Sequence, residues 1–115
     1  MGSRWDSVVI DATDPARLGR WWAEVLGYRI QREAPNELVI APGSADRPAI
    51  VFTAVTEPKS GKNRLHLDLR PEDRDAEVER LVDMGARHVD IGQAADVGWI
   101  VLADPEGNEF CVLAA

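Results

Sequence analysis

The sequence predicts an α+β fold of two tandem βαβββ modules, and three observations carry that prediction. Short β-branched segments bounded by turn residues alternate with two capped amphipathic helices. The order of elements read in residues 5–57 starts again in residues 64–115, with 58–63 as the linker. The helix stops Leu26-Gly27-Tyr28-Arg29 and Met84-Gly85-Ala86-Arg87 lie 58 positions apart, so the second half repeats the first in kind and in scale.

Ser7 to Ala12, Ser-Val-Val-Ile-Asp-Ala, is short and β-branched and predicts the first strand. Asp14-Pro15 then supplies an N-cap acceptor and a proline at the first helical position, where its missing N–H costs nothing. Leu18, Trp21, Trp22, Val25 and Leu26 recur at helical spacing, and Gly27 provides a left-handed stop, which predicts a helix over Pro15–Leu26. Three strands follow at Tyr28–Arg32, Glu37–Ala41 and Ala49–Val55, separated by Pro-, Gly- and Asn-rich turns. Glu57 to Asn63 is polar and holds both lysines of the chain, as suits an exposed linker.

Leu65 to Arg70 alternates apolar and polar residues, which predicts a strand with one face on a core. Pro71-Glu72-Asp73 opens a second helix with the stripe Ala76, Val78, Leu81, Val82 and Met84, ended by Gly85. Its early carboxylates, Asp75 and Glu77 among them, favour the positive end of the helix dipole. Arg87–Ile91, Gly98–Ala103 and Glu109–Leu113 complete the strands, the last two joined by the turn Asp104-Pro105-Glu106-Gly107-Asn108. One helix covers only one face of a four-stranded sheet, so the predicted architecture is a curved mixed sheet around a cleft. That cleft is where function is to be sought.

The chain has 115 residues, 13 Lys plus Arg against 20 Asp plus Glu, and a net charge of -7. That length predicts a single domain, residues 1–115, with one core large enough to dispense with disulfides. The single cysteine, Cys111, predicts no internal disulfide and no thiolate zinc site. An acidic chain without a Lys/Arg stripe is a poor match for a phosphate backbone, so no nucleic-acid partner is expected. No apolar run reaches a membrane span, and the N-terminal residues enter a strand pattern at once, so the expected location is cytoplasmic with no membrane contact.

Asp14-Pro15, Trp21-Trp22 with Val25-Leu26-Gly27-Tyr28, His66-Leu67-Asp68-Leu69 and Asp104-Pro105-Glu106-Gly107-Asn108 together resemble the vicinal oxygen chelate superfamily, the glyoxalase and bleomycin-resistance group. The likeness spans essentially the whole chain. It implies a glyoxalase-like fold and, in metal-dependent relatives, a divalent cation held by four side chains from the two repeats. Carried onto this sequence, those four positions are Ser7, a place within Ile50–Phe52, His66 and Cys111. Only His66 is a usual ligand, so no metal and no other cofactor is expected: a hard ion needs several oxygen or nitrogen donors to offset its dehydration. A displaced site from Asp11, His66, Asp68 and Glu109 is the one alternative.

The expected ligand-binding residues are Ser7, Val9, Asp11, Phe52, His66, Asp68, Trp99, Glu109 and Cys111. His66 has two roles open to it. It is a general acid or base with Asp68 as its partner, or an imidazole that simply hydrogen-bonds Asp68 or solvent. Asp11 lies in an apolar strand and needs a partner such as Arg70, or a ligand. Glu109 either satisfies turn groups or faces water at the cleft mouth. Cys111 reads as a small apolar residue, since no cation adjacent in sequence lowers its pKa. Trp21 and Trp22 belong to the core, while Trp5 and Trp99 are candidates for stacking on a ligand or for a dimer contact.

The function expected is binding or sequestration of an aromatic or hydrophobic metabolite by a homodimer whose metal site is degenerate, similar to bleomycin-resistance proteins. The alternatives are a metal-independent lyase, isomerase or cyclase using His66 and Asp68, and an accessory module beside a pterin carbinolamine dehydratase. Glyoxalase I activity is not expected.

Overall fold

The computed structural model describes residues 2–44, 47–89 and 98–114. Its elements run β1 (Ser7–Ala12), α1 (Pro15–Leu26), β2 (Arg29–Ala34), β3 (Glu37–Ala41), β4 (Ala49–Ala54), β5 (Asp68–Leu69), α2 (Arg74–Asp83), β6 (Arg87–His88), β7 (Trp99–Ala103) and β8 (Glu109–Leu113). They fall into two compact units, Met1–Pro58 and Lys59–Ala115, each a βαβββ module with its own four-stranded mixed sheet. Of the expected linker 58–63, Pro58 falls in the first unit and residues 59–63 in the second.

In the first unit the strand order is β1-β4-β3-β2, with β1 parallel to β4 and the other pairs antiparallel. The parallel pair requires a crossover, which α1 begins. This helix keeps the predicted bounds because both ends are chemically specified. The Asp14 carboxylate accepts from the Arg17 N–H at 3.1 Å, Pro15 occupies the first turn, and Gly27 takes the left-handed conformation at φ 67°. Leu18, Trp22, Leu38, Ile40 and Phe52 are at most 2% exposed and form the core between helix and sheet. Arg20 of α1 reaches Glu33 of β2 at 2.7 Å, tying the edge strand to the helix.

The second unit repeats the order as β5-β8-β7-β6, again with a parallel first pair. Asp73 caps α2 by accepting from the Ala76 N–H at 3.1 Å. Of the predicted stripe only Val78 and Leu81 are buried; Val82 is 38% exposed and Ala76 is exposed. The expected strand Leu65–Arg70 contracts to Asp68–Leu69, because β5 pairs with β8 only at those two positions and Leu65 is 88% exposed. The expected strand Arg87–Ile91 is Arg87–His88 among the described residues, and Ile91 lies outside them.

The turn from β7 to β8 is held by a fully buried carboxylate. Asp104 accepts from the backbone N–H of Glu106 and of Asn108 and from the Asn108 amide, all within 3.2 Å, and Gly107 sits at φ 88°. A buried charge is tolerated only with its lone pairs satisfied, as here. This clamp sets where Glu109 and Cys111 fall on β8.

Candidate functional site

Strand alternation and register decide which side chains meet. In the first unit Ile10, Phe52 and Leu38 share one row, on the side of α1; Val9, Val51 and Val39 share the next row, on the other side. On that helix-free face Val9 is 60% exposed, Val51, Val39, Ser7 and Thr53 are half-buried and Asp11 is exposed. It is therefore a stripe of three valines across three strands, with Ser7 two residues before Val9 on β1 and the row Asp11–Thr53–Glu37 on its other side. Phe52, expected among the ligand-binding residues, is instead core: it is wholly buried against α1, and Val51 holds the place facing away. The pleat sends neighbours to opposite faces, so Val9 and Phe52 cannot both line one surface.

Asp11 is exposed, so the burial cost that called for a partner does not arise. Arg70, the partner expected for it, donates instead to the Ala114 carbonyl at 2.7 Å. Trp5 is 66% exposed and its indole N–H donates to the Ser7 carbonyl at 3.1 Å.

In the second unit Val78 and Val82 of α2 share a groove with His88 and Ile100, which identifies the helix side of that sheet. Trp99, Val101, Glu109, Cys111 and Asp68 fall on the other side by alternation and register. Asp68 stands directly opposite Cys111 in the parallel β5–β8 pair, and the Cys111 N–H donates to the Leu67 carbonyl at 3.0 Å. His66, just before β5, places Nε2 3.1 Å from Asp68 Oδ1, with both side chains about half exposed. His66, Asp68 and Cys111 each present one donor atom within 4.8 Å of the other two. Burial pushes the Cys111 thiol up, helped by the charge and hydrogen bond of Asp68, while Lys62 opposes. The thiol is thus protonated at neutral pH and a poor nucleophile. Trp99 opens β7 and is 40% exposed.

Glu109 is not at a solvent-facing mouth. Its carboxylate is 2.6 Å from Lys59 Nζ and accepts from the Asn63 N–H at 2.6 Å, and the pair is largely buried, with side-chain exposures of 11% and 18%. Burial alone would raise this carboxyl, but the Lys59 hydrogen bond, the Asn63 N–H and the Lys59 charge outweigh it and hold it below its usual range. Lys59 also donates to the Gly61 carbonyl, folding residues 59–63 onto the strand. The sequence reading missed Lys59 and Asn63. A carboxylate opening an apolar strand, in a chain with only two lysines, was the available signal.

The four positions that hold the cation in metal-dependent relatives offer a poor donor set here. Ser7 brings a neutral hydroxyl. Within Ile50–Phe52, Ile50 and Phe52 are buried on the helix side and Val51 brings only hydrocarbon. His66 and Cys111 alone retain ligand chemistry, so the residues present do not fit that four-donor cation.

The glyoxalase-like domain profile matches residues 7–113. No curated protein sequence matches the chain. Among solved structures, a glyoxalase/bleomycin resistance protein/dioxygenase family enzyme from Burkholderia phytofirmans PsJN superposes with a TM-score of 0.75 at 20% identity, covering 95% of this chain and 96% of that one. The trypanothione-dependent glyoxalase I of Leishmania major gives 0.75 at 18% identity, covering 98% and 87%. TnmS3, an antibiotic-binding protein from Streptomyces sp. CB03234, gives 0.66 at 24% identity, covering 97% and 95%. At these identities the likeness establishes a shared fold. Among the described residues no helix is long and apolar enough to cross a membrane. With the profile matched over nearly its whole length, this chain belongs to the glyoxalase-like domain family of the vicinal oxygen chelate superfamily.

Proposed function

We propose that this protein binds an aromatic or hydrophobic metabolite and does so without the four-donor cation of its superfamily. The observation that carries the reading is the valine stripe Val9–Val51–Val39 on the helix-free face of the first sheet, with Val9 60% exposed. Covering apolar surface releases about 25 cal/mol per Å². Ser7, Thr53 and Asp11 then supply the few polar groups that orient a guest. That a protein of the same fold, TnmS3, binds an antibiotic supports small-molecule binding as the use of this scaffold.

Tryptophan fluorescence titration against a panel of aromatic metabolites and natural-product antibiotics tests the reading. A saturable response is expected, with Val9→Lys raising Kd by roughly tenfold or more, equivalent to ~1.4 kcal/mol and less than the full burial of one valine. Unchanged affinity in a folded Val9→Lys variant would remove the valine stripe from the site.

The 3.1 Å contact between His66 Nε2 and Asp68 Oδ1 favours a second reading, a metal-independent lyase, isomerase or cyclase in which His66 moves a proton and Asp68 orients it. Conversion of a bound compound, abolished in His66→Ala while binding persists, distinguishes the two.

A further inference from the structure

We infer that the groove between α2 and the β7–β6 half of the second sheet is a docking surface for a basic amphipathic helix of a partner protein. The groove lies on the helix side of that sheet, on residues that no reading above assigns to metabolite binding, and the inference does not rest on that binding.

The groove follows from what α2 is made of. Four strands spaced about 4.8 Å apart make a sheet wider than one helix of about 10 Å diameter, and a second helix packs beside a first at about 8–10 Å. In the first unit α1, with Trp21 and Trp22, packs over all four strands of its sheet. The second helix has no aromatic residue and packs chiefly on β8. Beyond it lies a groove of about 370 Å³ whose apolar floor is Val78, Val82 and Ile100, with His88 of β6 at its side. Val82 is 38% exposed there, an apolar side chain on the helix face turned toward the sheet.

Charge identifies what covers this floor. Asp75, Glu79 and Asp83 line the same groove and follow one another at four-residue steps, so they stand in a row with one carboxylate about every 6 Å over about 12 Å. Like charges at this spacing disfavour a helix, and nearby cations would remove that cost. Arg74 reaches Asp75 at 3.1 Å and Arg80 is held by Glu77 at 2.9 Å, which leaves Glu79 and Asp83 without a cationic partner among the described residues. Residues 90–97 contain Asp90 and Asp96 and no Lys or Arg, so their sequence supplies no counter-charge. The matching occupant has the same period: a helix with Lys or Arg at i, i+4 facing the carboxylate row and apolar residues at the adjoining positions facing Val82 and Ile100. A single ammonium group meets only one or two carboxylates of a row this long. A second copy of the chain would bring a net charge of -7 to an acidic face, which opposes self-association.

Fluorescence anisotropy with a labelled synthetic peptide tests the inference. The probe is an alanine-based helix of about 15–18 residues, long enough to hold its fold, with leucine and lysine in adjoining i, i+4 rows. Saturable one-to-one binding is expected, weakening as salt is raised. Removing both charges in the Glu79→Gln, Asp83→Asn double variant weakens it roughly fivefold or more, as the loss of two exposed ion pairs should. Val82→Lys, at an exposed position where circular dichroism reports an intact fold, weakens it roughly tenfold or more, and so does scrambling the peptide at fixed composition. Absence of saturable binding overturns the inference. So does equal binding of the scrambled peptide, which would be bare charge attraction, or an unchanged affinity in the double variant, which would put the peptide elsewhere. Hexylamine binding as tightly as the peptide would assign the groove to a small cation, and concentration-dependent dimerisation abolished by Val82→Lys would assign it to a second copy; either result also overturns it.

Discussion

Replacing Gly19 with alanine tests how closely α1 is seated on the first sheet. Alanine normally stabilises a helix interior by about 0.8–1 kcal/mol relative to glycine. Here the added Cβ would lie 2.1 Å from Leu38 Cδ2, 3.2 Å from Leu38 Cγ and 3.1 Å from Phe52 Cδ1, against a comfortable carbon separation of about 3.5–4.0 Å. Leu38 and Phe52 are both wholly buried, so neither has room to swing away, and the helix must lift. Overpacking of this kind costs roughly 1–3 kcal/mol, and an overlap this deep belongs at the upper end. Subtracting the helical gain leaves a net loss of about 2 kcal/mol. At about 4 °C per kcal/mol for a chain of this size, Gly19→Ala is expected to melt about 8 °C lower by circular dichroism. In a Leu38→Ala background, which removes the two Leu38 atoms concerned, the same substitution becomes neutral or stabilising. A Gly19→Ala variant as stable as the wild type, with no change of sign in the double variant, would refute the close approach. The valine stripe would then have to be reconsidered too, since the same register that buries Phe52 presents Val51.

Acid stability and thiol chemistry give two further tests. Because the folded Glu109 carboxyl is held low, its stabilising contribution is complete above its ordinary pKa and is lost as pH falls through the lowered folded value. Urea midpoints of Glu109→Gln should therefore vary less with pH on the acid side than those of the wild type, and parallel profiles would refute the linkage. Lys59→Met leaves that carboxylate buried without its cation and is expected to cost about 1–3 kcal/mol in urea unfolding, between the values for exposed and fully buried pairs; a cost near zero would mean residues 59–63 do not rest on β8. In metal-free protein, Cys111 should react with iodoacetamide far more slowly in the native state at neutral pH than after unfolding in urea, and equal rates would show that its burial and raised pKa are wrong.

Much of this fold was legible because it rests on local chemistry. Asp14, Pro15 and Gly27 bound α1 by satisfying or ending its backbone hydrogen bonds, and the run from Asp104 to Asn108 specifies the turn into β8. The duplication, visible as a repeated order of elements, is matched by two sheets with the same strand order and the same parallel first pair. What went astray depended on a partner distant in sequence. Leu65 to Arg70 alternates like a six-residue strand, yet strand length is set by what lies alongside, and β8 accepts only Asp68 and Leu69. Phe52 was assigned to the ligand surface because no local pattern in an apolar run says which face is which.

The sequence by itself determined that this chain is a doubled βαβββ protein in which only His66, of the four superfamily cation positions, is a usual ligand, since caps, turns and residue identities act within a few positions of themselves. Only the tertiary structure decided that Phe52 is core while Val9, Val51 and Val39 form a surface stripe, that Lys59 neutralises Glu109, and that Cys111 stands beside Asp68 and His66. The faces of Phe52 and the valines and the pairing of Asp68 with Cys111 follow from strand register, and the Lys59–Glu109 pair from the segment before β5 lying against β8. A shift of one residue reverses every side chain on a strand, and register between a parallel pair is chosen by the whole module folding at once.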